Sequence, residues 1–169
     1  MARYSGLVKN DVVNGEGVCV NLFMQGCPHH CPGCFNPETW DPKGGEEITE
    51  DVVNEILEAI SANGVQRNFS VLGGEPLAPY NIDTTYYIVN EVKQKYPTIK
   101  IFLWTGYTID EVKQISKDNR HAGFRLMTLL DAIVTGRFIE EQKDLTLKWR
   151  GSSNQEIWYR KELMEYLTK

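Results

Sequence analysis

The sequence predicts an α/β fold: part of a (β/α) barrel built on a mostly parallel sheet. Three observations carry this. Apolar strand runs alternate with amphipathic helix patterns, the order that a parallel sheet with crossover helices requires. Two motifs rich in Gly or Cys follow directly after strands, at the edge where such sheets bind ligands. Finally, 169 residues suffice for one domain with a real core, but a complete eight-unit barrel takes about 250 residues. The expectation is a single domain over residues 1–169, open along one side.

Hydrophobic residues at 41%, charged residues at 24% and a formal net charge of -5 describe an ordinary globule without a basic footprint. That argues against nucleic acid or an anionic membrane as partner and for a protein or a small charged ligand. The first residues, Met1-Ala2-Arg3-Tyr4-Ser5-Gly6-Leu7-Val8-Lys9, lack the apolar run of a signal peptide, and no stretch is long and apolar enough to span a bilayer. A reducing cytoplasm, where free thiols survive, is the expected location.

Taken in order, Asn14-Gly15-Glu16-Gly17 is a turn cluster, and Val18 to Gln25 alternates with strand periodicity. Cys19 falls inside this strand and reads as a small core side chain. The strand runs into Cys27-Pro28-His29-His30-Cys31-Pro32-Gly33-Cys34, a loop that Gly and Pro keep tight. After the break at Gly44-Gly45, Thr49 caps a helix with Val52, Val53, Ile56, Leu57 and Ile60 on its apolar face, ended by Gly64. Phe69 to Leu72 is a buried strand running into Gly73-Gly74-Glu75-Pro76, where two glycines let a ligand approach the backbone.

A helix carrying Ile88, Val89, Val92 and Tyr96 stops at Pro97. Ile99 to Trp104 is nearly all apolar, as in a strand covered on both faces. Thr108-Ile109-Asp110-Glu111 has the form of a capping box for the next helix, which carries Val112 and Ile115. Residues 117–124 read as loop with a solvated His121, residues 126–130 as a short helix, and residues 131–135 as a fourth strand ending at Gly136. The tail predicts a strand over 145–149, a loop at Arg150-Gly151-Ser152-Ser153-Asn154, and a strand-to-helix finish.

The cysteine loop carries the chemistry. Three of the four cysteines lie within eight residues, separated by three and then two residues, so one loop can converge three thiolates on one inorganic centre. Two readings stand. A structural zinc site needs a fourth ligand, with Cys19, His29 or His30 as the candidates. A cubic iron–sulfur cluster needs none, because three thiolates leave one of its four irons free for a substrate. Three clustered thiols cannot all pair as disulfides. His29 and His30 read as residues behind the ligands or in solvent, and Trp40 and Trp104 as packing residues. Arg137, Lys148 and Arg150 are candidates for steering an acidic partner surface, against a default of scattered surface charge.

The Cys-x3-Cys-x2-Cys spacing, with Gly-Gly-Glu-Pro at the end of the next strand, resembles the radical S-adenosylmethionine (SAM) enzymes. Within them, the turn at residues 14–17, the run from Cys27 to Asp41, Thr105-Gly106-Tyr107, the run from Asp131 to Phe138 and Arg150-Gly151-Ser152-Ser153-Asn154-Gln155 resemble the family that activates the anaerobic, class III ribonucleotide reductase. The resemblance implies a radical SAM fold and a 4Fe-4S cluster on Cys27, Cys31 and Cys34 that reductively cleaves SAM. The resulting 5′-deoxyadenosyl radical would take a hydrogen atom from a glycine of the partner reductase, with an electron donor such as flavodoxin. It places Gly33, Cys34 and Phe35 along bound SAM and Gly73, Gly74 and Glu75 at its methionine end. The family usually has tyrosine where this chain has Phe35, so a role for that hydroxyl is not carried over. Activators of other glycyl-radical enzymes, such as pyruvate formate-lyase, and a zinc-binding interaction module remain the competing readings.

Overall fold

The computed structural model of the protein describes residues 2–169. Strands β1 (Arg3–Asp11) and β2 (Cys19–Met24) pair antiparallel, with Leu7 opposite Leu22. A two-residue strand, β3 (Glu46–Glu47), sits on the outer side of β1. From β2 a parallel run continues through β4 (Asn68–Gly73), β5 (Ile101–Trp104) and β6 (Ala132–Thr135). Strand β7 (Glu156–Tyr159) finishes the sheet antiparallel to β6. The order is β3-β1-β2-β4-β5-β6-β7.

The sheet is therefore mixed, with three parallel and three antiparallel pairings, where the sequence predicts a mostly parallel one. The parallel run is the part whose strands are joined by crossover helices. The antiparallel pairs lie at its two flanks, a common way to finish such a sheet.

Helices α1 (Glu50–Ile60), α2 (Ile82–Lys95), α3 (Ile109–Lys117), α4 (Gly123–Met127) and α5 (Arg160–Leu167) supply the second layer. Thr49 caps α1, its hydroxyl accepting from the Val52 amide, and Thr108 caps α3 by accepting from the Glu111 amide. Both caps fall where the sequence puts them, each satisfying a donor that the helix leaves orphaned. The four parallel strands step across the sheet in one direction, so right-handed crossovers lay their helices on one face. The main core lies there: Val20, Leu22, Met24, Phe69, Val71, Ile101, Leu103 and Ile133 meet Ile56, Ile60, Ile88, Val92 and Leu126.

The tail differs from its expectation. Residues 145–149 form turns and bends instead of a strand, and Trp149 adopts φ 58°. The segment 117–124 holds the end of α3 and the start of α4, with a short connection between them. Among the described residues no helix is long and apolar enough to cross a membrane.

Candidate metal centre and adjoining cavity

The cysteine loop leaves the C-terminal end of β2, the Gly-Gly-Glu-Pro turn leaves β4, and the Thr105-Gly106-Tyr107 turn leaves β5. Because β2, β4 and β5 are parallel neighbours, their following loops share one edge of the sheet. Cys27 is tied down where its amide donates to the Trp40 carbonyl at 3.1 Å, while the Cys34 amide closes a turn on the Cys31 carbonyl. All four cysteines are free thiols; Cys19 is buried and the other three are partly exposed. Cys19 sits in the core of the strand as predicted, donating to the Glu16 carbonyl at 3.3 Å.

Burial pushes the Cys27 thiol up to about 11, opposed by the amides of His29 and His30 and reinforced by Glu75. Burial also raises the Cys31 thiol, against a Phe138 amide that favours its thiolate. These ligand candidates therefore rest as thiols, and loading a metal or cluster must displace their protons. Among the described residues no three His, Cys, Asp or Glu side chains are grouped to hold a single metal ion.

The Glu75 carboxylate is fully buried. One oxygen accepts from the Gly106 amide at 2.7 Å and pairs with His29 Nε2 at 2.8 Å. The other accepts from the Leu77 amide at 2.9 Å and the Thr105 hydroxyl at 2.8 Å. Four donors offset the desolvation of a carboxylate that would otherwise be costly to bury. His29 is itself 5% exposed in its side chain and meets the Tyr107 ring edge-on at 4.6 Å. Gly106 has to be glycine here, since a Cβ would lie 2.5 Å from the His29 ring. The Tyr107 hydroxyl is raised to about 12 by burial and by the Glu75 charge. His30, by contrast, is exposed and stacks on Trp40 with centroids 4.6 Å apart.

The backbone of the second motif is equally committed. The Gly74 amide donates to the Met24 carbonyl and the Glu75 amide to the Gly26 carbonyl, both at 2.8 Å. A Cβ at Gly74 would lie 2.5 Å from the Gly26 oxygen, so only glycine allows the two loops to pack this closely.

A cavity of about 530 Å3 opens beside this edge on the sheet face away from the helices. Phe23, Leu72, Gly73 and Trp104 form its floor, Phe35 and Asn36 bring in the cysteine loop, and Trp149, Arg150 and Gly151 form its far wall. That wall is held by Gln155, which accepts from the Gly151 and Ser152 amides and donates to the Gly136 carbonyl. Trp104 is more than packing, since its indole donates to the Trp149 carbonyl at 2.8 Å and so anchors the wall. Of the residues predicted to contact a cofactor, Phe35 and Gly73 line this cavity. Gly33 is exposed, with the Glu140 carboxyl 2.9 Å from where a Cβ would stand.

A second cavity of about 430 Å3 lies on the helix side, among Leu77, Ile82, Tyr107, Glu111, Ile115 and His121. Its charged rim is paired internally, Glu111 with Arg137, Asp118 with Arg120 and His121 with Asp83. His121 is thus engaged instead of solvated. Arg137 is spent on Glu111, while Lys148 and Arg150 have no carboxylate partner among the described residues.

Residues 13–158 match the family model described as a 4Fe-4S single cluster domain. The chain is 39% identical over 148 residues to the anaerobic ribonucleoside-triphosphate reductase-activating protein of Vibrio cholerae, covering 87% of this chain and 91% of that one. It is 35% identical to the protein of the same name from Escherichia coli K12, over 87% of this chain and 92% of that one. It is also 35% identical to the one from Enterobacteria phage T4, over 92% and 93%. On these matches the chain belongs to the family of anaerobic ribonucleoside-triphosphate reductase-activating proteins and carries its 4Fe-4S cluster domain.

Proposed function

We propose that this protein holds a 4Fe-4S cluster on Cys27, Cys31 and Cys34, cleaves SAM reductively there, and so places a glycyl radical on an anaerobic ribonucleoside-triphosphate reductase. The observation that carries the reading is the junction of three free, partly exposed thiols with a 530 Å3 cavity through Phe35 and Asn36. Three soft donors without a fourth suit an iron–sulfur cluster that keeps one position open, and the match to a 4Fe-4S single cluster domain supports that reading over zinc. Held by Cys27, Cys31 and Cys34, the cluster would supply SAM with the electron on which hydrogen abstraction from glycine depends.

The protein's own part is to bind, orient and exclude water. Gly73 and Phe35 flank the space for SAM, with Gly33 and Cys34 along it. Because the amides of Gly74 and Glu75 and the Glu75 carboxylate are already engaged, this turn meets the SAM amino group through backbone carbonyls. The one-directional run of parallel strands with helices behind it is read as a partial (β/α) barrel of radical SAM type forming a single domain. Its uncovered side admits the partner. Exposed Val13, Phe35 and Leu145 make an apolar rim there, at 69%, 53% and 70% exposure, extended in the chain by exposed Val12, and this rim receives the glycine-bearing segment. The electron comes from a donor such as flavodoxin, in the reducing cytoplasm that these thiols require.

The test is an anaerobic assay of SAM cleavage with electron paramagnetic resonance after adding the reductase, or pyruvate formate-lyase as the competing partner. We expect a glycyl signal with the reductase and complete loss of cleavage and signal in Cys31→Ala. Retained activity in that variant, or colourless protein carrying one equivalent of zinc, overturns the reading.

A further inference from the structure

We infer that His29 and Glu75 are positioning residues, a buried tether that holds the cysteine loop in the shape that receives the cluster and slows the cluster's loss. The inference rests on the function proposed above and deepens it. Across residues 28–35, cysteine thiols apart, His29 is the one side chain among the described residues that hydrogen-bonds to the rest of the fold. The backbone there adds only the Cys34–Cys31 turn, internal to the loop. Between Cys27, whose amide is tied to the Trp40 carbonyl, and Cys31, whose thiol faces the Phe138 amide, the His29 side chain is thus the loop's one hydrogen-bonded anchor among the described residues.

That contact is built to be rigid. Glu75 is fixed from two other loops, by the Leu77 amide of its own turn and by Thr105 and Gly106 after β5. With amide donors already on both oxygens, the carboxylate is left to accept from His29, whose Nε2 carries the proton of the bond. Gly106 and Tyr107 close over the imidazole, so the ring has little room to swing. The three loops that follow β2, β4 and β5 thus converge on one carboxylate. Partners standing behind metal ligands commonly change metal affinity by about 10–100-fold.

Length of reach separates this role from mere filling of space. Glutamine at position 29 offers an amide N–H near the place of Nε2, whereas asparagine, one methylene shorter, does not reach Glu75. After anaerobic reconstitution with ferrous iron and sulfide, transfer of iron to a ferrous chelator is followed. We expect His29→Asn to release iron about tenfold faster than the parent chain, and His29→Gln to stay within about twofold of it. Thr105→Val, which removes one donor from Glu75 on a loop that carries no cysteine, is expected to speed release about threefold and decides alone if His29→Asn loses its circular dichroism. Alkylation of the three loop cysteines in apo-protein by iodoacetamide reads the tether without iron, and should accelerate in the same order. Equal release and equal alkylation for Asn, Gln and parent would overturn the tether. A parent chain that takes up no iron would overturn the proposed function instead, leaving alkylation to judge the tether.

Discussion

The two faces of the same four parallel strands differ in kind. On the helix side, Val20, Leu22, Phe69, Val71, Ile101, Leu103 and Ile133 are all fully buried and all apolar. On the other side the alternate positions are Cys19, Asn21, Phe23, Ser70, Leu72, Phe102, Trp104, Ala132 and Val134, a mixture of thiol, amide, hydroxyl, aliphatic and aromatic groups with only a small core of Cys19, Phe102 and Ala132. The period of two that puts successive residues on opposite faces has here divided labour as well as space. One face supplies the burial that holds the chain folded, and the other, with the loops at its edge, supplies a cavity and three thiols.

A core truncation would sharpen that contrast most. Phe69 is the bulkiest fully buried side chain, and Phe69→Ala should cost about 3–5 kcal/mol in urea unfolding, much of the stability of an ordinary domain. SAM cleavage per folded, cluster-loaded molecule should be unchanged. A large loss per folded molecule would mean that the helix-side core shapes the site directly and that the division is false.

The opposite experiment strikes the open side. Val12→Asp places a charge on a residue 72% exposed, next in the chain to Val13 of the cavity lining. It should leave the unfolding midpoint and partner-free SAM cleavage alone while lowering glycyl radical yield on the reductase about tenfold, as for a contact residue central to an interface. Equal loss of cleavage and radical would place Val12 at the chemistry, and no loss would move the docking surface elsewhere.

The helix-side layer was legible in the sequence because its signals are local. Ile101 to Trp104 is apolar on both faces and Phe69 to Leu72 is so except at Ser70, and Thr49 and Thr108 stand where helices start. Strand β1 carried no such signal. It is half-exposed, its register against β2 shifts in two places, and its strand character depends on β2 as partner. Leu145, Leu147 and Trp149 alternate with polar residues and so predict a strand, but all three line the cavity; the alternation answers to a cavity wall. The three cysteines were found by spacing alone. The His29–Glu75 pair spans 46 residues and has no periodicity to betray it. It follows only once β2 and β4 are known to be parallel neighbours, because that brings the loops after them together.

Of the ion pairs that join the helices to the sheet, the one beside the cysteine loop gives the last substitution, whose effect should be the smallest. Arg137, just after β6 and next to the Phe138 amide that faces Cys31, makes a two-pronged contact with Glu111 of α3, at 2.5 and 2.9 Å. The Arg137 hydrogen bonds hold the Glu111 carboxyl below its ordinary 4.5. A depressed folded-state value means the stabilisation is fully present above about 4.5 and fades as pH falls through the lower, folded-state value. Both side chains are about 40% exposed, so solvent screening limits the pair to roughly 0.5–1 kcal/mol. Glu111→Gln should therefore unfold more easily than the parent at pH 7, with the difference shrinking as the solution is acidified below that value. If the difference instead stays constant into acid, the pair is not what couples the layers, and packing of α3 against the sheet must do so. If iron release also quickens in this variant, Arg137 reaches the cysteine loop through its neighbour, and the border between the two regions lies closer to the thiols than the core contacts suggest.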